Sequence, residues 1–128
     1  MTKFLVDTNI FIRFFLNDHA KQSPEAGEIL FKGSLKEIPL IVTPEVLIEV
    51  EYVLRKQYRF SKDEIVLGIR TITSNQQIEV ENRYIMSEAL WIYENNNVDF
   101  VDAILYVKAK DYEGEVVTFD KDFKKLSA

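Results

Sequence analysis

Apolar positions along the chain alternate between short continuous runs and longer stretches with helical spacing. Lys3–Val6 is a short apolar run that stops at Asp7-Thr8-Asn9. Ile10, Phe11, Phe14 and Phe15 then recur at three- and four-residue spacing, so a helix is predicted to end near Asn17-Asp18. Ser23-Pro24-Glu25 starts a second helix with proline in its first turn, and its pattern runs to Gly33. Ile38–Val42 reads as a strand, with Pro39 tolerable only near its start. Thr43-Pro44-Glu45 opens another helix, with threonine as N-cap, proline at the first position and an acid in the positive first turn. That helix carries Val46, Leu47, Val50, Val53 and Leu54 into a basic end at Arg55, Lys56 and Arg59. Ser61-Lys62-Asp63-Glu64 is a capping-box signature before Ile65-Val66-Leu67. Gln77–Val80 is a short strand, Asn82–Asn96 and Asp99–Tyr112 are helices, Glu115–Thr118 is a last strand, and Asp120–Leu126 is a final short helix. Strands separated by helices predict one α/β domain over residues 1–128, with a four-stranded parallel sheet inside an α/β/α sandwich.

Composition narrows the chemistry. Among 128 residues, 16 Lys and Arg stand against 21 Asp and Glu, and 16 − 21 gives a net charge of −5. With 47% hydrophobic and 29% charged residues this is ordinary globular composition. The densest apolar run, Val101–Val107, contains Asp102 and falls far short of the ~20 residues a bilayer requires. An acid at Asp7 stands where a signal peptide needs its apolar stretch, so a cytoplasmic setting is expected. There is no cysteine, which removes thiolate metal sites, disulfides and thiol nucleophiles. The single histidine, His19, excludes a multi-histidine zinc site, and its neighbours Asn17, Asp18, Ala20 and Lys21 mark a solvated loop. No GxSxG elbow accompanies it. Glycines stand only at 27, 33, 68 and 114, too scattered for a phosphate-binding loop. Carboxylates, hydroxyls and amides remain, and oxygen ligands suit hard divalent cations.

Ligands of open α/β sheets gather at the carboxyl ends of the strands, and several acids fall there. Asp7 follows the first strand; its ordinary structural reading is a cap for the next helix. Glu45 and Glu49 are a turn apart. Glu45 is explained by the helix dipole, whereas Glu49 sits at the edge of an apolar face centred on Val46, Val50 and Val53, with Glu51 pointing away as a solvated charge. Asp99 and Asp102 open a helix apolar nearly all round; a D-x-x-D capping arrangement and a shared metal-binding face both fit them. Asp120 and Asp122 follow the last strand, with capping of the final helix as the ordinary alternative.

Asp7-Thr8-Asn9, Pro44…Glu49…Val53-Leu54, Asp99-Phe100-Val101-Asp102-Ala103 and Thr118-Phe119-Asp120, in this order and spacing, resemble the PIN-domain nucleases, and among them the VapC-type toxins of toxin–antitoxin pairs. Each motif alone is weak; four in order, covering nearly the whole chain, are strong. The resemblance implies an acidic quartet of Asp7, Glu49, Asp102 and Asp120, with Asp99 matching an additional acid seen in part of the family. It implies Asp7, Asp99, Asp102 and Asp120 as ligands of Mg²⁺ or Mn²⁺, with Thr8, Asn9 and Thr118 as supporting polar residues and Asp122 beside them. It further implies endonucleolytic hydrolysis of RNA by metal-activated water, a cognate antitoxin laid over the acidic groove, and a homodimer. Ile10, Phe11, Phe14 and Phe15 would either meet such partners or fill the core. The family commonly adds a fifth strand after the last helix, where this chain reads Leu126-Ser127-Ala128, so four strands are expected, or an edge closed by another element.

A net charge of −5 opposes general nucleic-acid binding. Basic residues nevertheless cluster at Arg55, Lys56, Arg59 and Lys62, and at Lys121, Lys124 and Lys125, either as solvated helix ends or as RNA contacts. Tyr52, Tyr58 and Phe60 between them are read as packing residues rather than base-stacking ones. The rival class is a non-catalytic acidic α/β module, either receiver-like or a nuclease fold that only binds a partner. The second strand ends Ile41-Val42-Thr43-Pro44 without the aspartate a receiver needs.

Overall fold

A computed structural model describes residues 2–126; Met1, Ser127 and Ala128, and with them any element after Leu126, lie outside the described residues. The elements are β1 (Phe4–Leu5), α1 (Thr8–Leu16), α2 (Gln22–Ser34), β2 (Leu40–Val42), α3 (Pro44–Lys56), α4 (Lys62–Thr73), β3 (Glu79–Val80), α5 (Arg83–Asn95), α6 (Phe100–Asp111) and a 3₁₀ helix over Lys121–Lys125. Backbone contacts group them into two compact units, residues 1–82 and 83–128.

The first unit holds a parallel sheet in the order β1-β2-β3. Phe4 pairs with Leu40 and Leu5 with Ile41, then Ile41 with Glu79 and Val42 with Val80. Both crossovers run in the same direction across the sheet, and the right-handed rule puts α1–α4 on one face of it. The packing agrees: α1 lies against α2 and α3, and α3 against α4. Leu40, Val42, Leu47, Val50, Leu54, Ile65 and Ile69 form the centre of this core.

Local chemistry accounts for several helix boundaries. Asn17 closes α1 in the left-handed conformation, φ 49°, and donates its N–H to the Arg13 carbonyl. Ser61 and Glu64 make the expected reciprocal capping box. His19 is exposed as expected, yet it is more than a loop residue: its Nδ1 accepts the Gln22 N–H at 2.9 Å and the Lys21 N–H at 3.3 Å, capping α2.

Two expectations fail. Glu115–Thr118 does not form a fourth strand; the sheet of the described residues has three. Val116 and Val117 supply β-propensity, but a strand exists only where a neighbouring backbone completes its ladder, and Val117 and Phe119 stand fully exposed. The second failure is the phase of α3. Its buried face is Pro44, Leu47, Val50, Glu51 and Leu54, turned by about one residue, or ~100°, from the face drawn through Val46, Val50 and Val53. The larger Leu47 and Leu54 win the core from Val46 and Val53. Glu51 is consequently buried rather than solvated, and Arg55 pairs with it, Nε to Oε2 at 2.7 Å.

The aromatic run of α1 divides its duties. Phe11 is buried, whereas Phe14 is exposed and, with Phe15, Leu30, Phe31 and Ile78, lines an open apolar groove of about 290 Å³. In the second unit α5 packs along α6. Met86, Ala89, Leu90, Phe100, Ala103 and Ile104 fill its interior, and the Tyr93 and Phe100 rings meet edge-on at 5.4 Å. The Tyr106 hydroxyl donates to the Leu126 carbonyl, tying the 3₁₀ helix to α6.

Candidate active site

The sheet register sets the candidate acids of the first unit. Val6 donates its N–H to the Ile41 carbonyl at 2.9 Å, and Glu81 donates to Val42 at 2.9 Å. Continuing the ladders places Asp7, Thr43 and Glu81 side by side at the carboxyl ends of β1, β2 and β3, with adjacent strands ~4.8 Å apart. Asp7 and Thr43 both have extended backbones and stand at the N-cap positions of α1 and α3. Neither side chain makes a capping hydrogen bond. The ordinary explanation of Asp7 as a cap is thereby removed, and its carboxylate is exposed at the end of β1. Thr8 is buried, and Asn9 is exposed in a cleft that also holds Arg13, Gln22 and Glu25. Glu49 lies in the second turn of α3 and is exposed rather than half-covered by the apolar face, because the helix is turned.

The other candidate acids belong to the second unit. Asp99 is the N-cap of α6 by backbone conformation, again without a side-chain capping bond, and Asp102 sits in the first turn. Asp120 does cap: its Oδ1 accepts the Asp122 N–H at 2.9 Å. Thr118 Oγ1 in turn accepts the Asp120 N–H at 2.9 Å, so Thr118 fixes the backbone that presents Asp120. The carboxyl of Asp102 is pushed above the usual aspartate range, first by burial and then by the negative charges of Asp99, Asp120 and Asp122.

These acids lie within electrostatic reach of one another but are not drawn into a closed ligand set. Among the described residues no group of three or more His, Cys, Asp or Glu is arranged to hold a metal ion. The donor chemistry still suits Mg²⁺, an oxygen-seeking ion that takes one or two protein carboxylates and completes its shell with water. The structure thus brings Asp99, Asp102, Asp120 and Asp122 together in one unit and sets Asp7 and Glu49 in the other. Glu81, an exposed acid on the same rim as Asp7, was not singled out in the sequence; its place directly after a strand was the available signal.

A family model described as PIN domain matches residues 4–128. The chain belongs to the PIN-domain family. One model therefore runs through both compact units, and the PIN domain takes in every acid discussed above. The chain is also similar to the "VapC ribonuclease" of Aquifex aeolicus (strain VF5), 33% identical over 124 residues, covering 95% of this chain and 90% of the relative. No helix among the described residues of this PIN domain is long and apolar enough to cross a membrane.

Proposed function

We propose that this PIN domain is a divalent-metal-dependent endoribonuclease and the toxin of a toxin–antitoxin pair, acting in the cytoplasm. The observation that carries the reading is the burdened carboxyl of Asp102, crowded by Asp99, Asp120 and Asp122. Four like charges so placed cost stability unless a cation or a proton relieves them, and a bound cation is what a metal-dependent nuclease would supply to such acids. The substrate follows from the relative named a ribonuclease, 33% identical along nearly the whole chain.

Asp7, Glu49, Asp102 and Asp120 are the acids to which we assign the chemistry, by their correspondence with the family motifs. Asp102, with Asp7, Asp99 and Asp120, would hold Mg²⁺ or Mn²⁺, and Glu49 would orient the attacking water by accepting its proton. When bound, the ion would lower the pKa of a coordinated water and offset charge on the attacked phosphate. Thr118 keeps the Asp120 backbone in place, and buried Thr8 anchors the turn that carries Asp7. The antitoxin and a homodimer belong to the same reading; the apolar groove at Phe14 and Phe31 offers the kind of surface a protein partner needs.

Asp7→Asn, Glu49→Gln and Asp102→Asn should each abolish Mg²⁺-dependent cleavage of single-stranded RNA while leaving circular dichroism unchanged. A chelator should do the same to the unmodified protein. Wild-type-like turnover in any of the three variants, or cleavage indifferent to chelator, would discredit the assignment in favour of a non-catalytic binding module.

A further inference from the structure

Helix α3 shows solvent a stripe that core packing does not explain. At about 100° per residue, Glu45, Glu49, Tyr52 and Lys56 fall within roughly 60° of one another, and all four are exposed. Tyr52 is 51% exposed, so about half of an aromatic side chain is left in water. The Arg55 guanidinium lies over that ring, 5.7 Å from its centroid, and is itself fixed by Glu51 at 2.7 Å. The buried Glu51 thus holds an arginine over the Tyr52 ring.

The basic end of the helix continues the pattern. Lys56 and Arg59 are exposed beside Tyr58, which is 38% exposed. Phe60 donates its N–H to the Leu54 carbonyl at 2.9 Å, closing the helix by a tight turn in which Arg59 takes φ 55°. Glycine is the usual occupant of such a left-handed position. An arginine there keeps a cation at the helix exit despite the backbone strain. In a chain of net charge −5, the exposed cations Lys56 and Arg59 at this end of the helix are opposite in sign to the molecule that carries them and suit a polyanion.

We propose that Tyr52 is a base-stacking platform for single-stranded RNA next to Glu49, with Lys56 and Arg59 meeting the phosphates beyond it. The proposal rests on the ribonuclease reading and deepens it by naming what holds the substrate. Tyr52 follows Glu49 by one turn, about 4.5 Å along the helix axis, so a base stacked on its outer surface lies next to the acid. Arg55, ring and base then form a continuous stack, and stacking tolerates any base because every base has a π-face.

The test is a KM-against-kcat split on a single-stranded RNA oligonucleotide. Tyr52→Ala and Tyr52→Leu should raise KM roughly tenfold or more, with kcat changing far less. Tyr52→Trp and Tyr52→Phe should recover most of that loss, since they restore a π-face where leucine restores only bulk. Thermal midpoints should be alike across the series, because the side chain is half in water. Binding of a fluorescein-labelled oligonucleotide to the Glu49→Gln background, read by anisotropy, separates this proposal from the catalytic one. There Tyr52→Ala should weaken binding, and Lys56→Ala and Arg59→Ala should each lower the slope of log affinity against log salt by about 0.7. Equal KM values for Tyr52→Leu and Tyr52→Trp, unchanged affinity in Tyr52→Ala, or no RNA binding by the Glu49→Gln protein at all would each overturn it. If the wild type cleaves no RNA, the ribonuclease reading falls by itself, and the anisotropy still decides the role of Tyr52.

Discussion

A carboxylate placed among three others is a liability to the fold before it is an asset to catalysis. Asp102 holds its proton more tightly in the folded chain than an unfolded aspartate would, because burial and the charges of Asp99, Asp120 and Asp122 disfavour the ionised form. Its contribution to stability is therefore fully present below the ordinary aspartate range and is lost as pH rises through its raised value. At neutral pH without divalent metal, Asp102→Asn should raise the thermal midpoint, and the gain should vanish when both proteins are melted in acid below that range. A variant less stable than wild type at neutral pH, with chelator present, would show that the crowding is already relieved. Asp7 and Asp99 add a quieter form of the same point. Each occupies an N-cap position and leaves the capping bond unmade, forgoing the ~1 kcal/mol a capping aspartate usually contributes. Glu51 shows how a residue can mislead: a charge on a helix reads as solvated, yet this one is buried against Arg55. Its partner four residues on was visible in the sequence, whereas the core that selected the pair was not.

Elements were legible wherever their ends carry local chemistry. The capping box at Ser61 and Glu64, the proline after Thr43 and the closing residue Asn17 all depend on neighbours within a few positions, and all appear where the sequence places them. Glu64 illustrates the coupling: its carboxyl lies below the usual glutamate range, first because it accepts the Ser61 backbone N–H and then through the Ser61 side chain. That contribution is present above the ordinary glutamate range and fades as pH falls through the lowered value. What failed at this scale were features settled by another element. The apolar face of α3 was misphased because two neighbouring sets of apolar residues compete for one core, and Leu47 with Leu54 took it. Glu115–Thr118 has strand-forming residues and no ladder. Helix α2 against β2 gives a direct test of element packing. A Cβ on Gly33 would lie 2.9 Å from Leu40 Cγ, whereas the nearest atom to one on Gly27 is Phe14 Cδ1 at 3.8 Å. Gly33→Ala should destabilise by about 1–3 kcal/mol from overpacking, and Gly27→Ala should stabilise by about 0.5–1 kcal/mol from helix entropy, both read by urea denaturation. Equal signs for the two would mean that α2 is free to shift away from Leu40.

At the scale of the whole molecule, one family model spans two compact units, and the acids assigned to catalysis come from both. Metal binding to the native protein alone should raise stability by about 2.7 kcal/mol at a hundredfold excess over Kd. Thermal melts with Mn²⁺ should show that rise in the wild type and a smaller one in both Asp7→Asn and Asp102→Asn; no shift at saturating metal would count against the metal assignment. The absence of cysteine, the lone histidine, the order of the elements and the four acidic motifs were all readable from the chain, because composition and local spacing are properties of the sequence itself. They carry the α/β class, and they leave oxygen-bearing side chains as the available donors. Tertiary structure alone decided which face of α3 turns inward, which acids feel one another, and that Tyr52 faces solvent rather than the core. Burial, proton affinity and strand pairing are set by groups distant along the chain, so they come into being only when the chain packs.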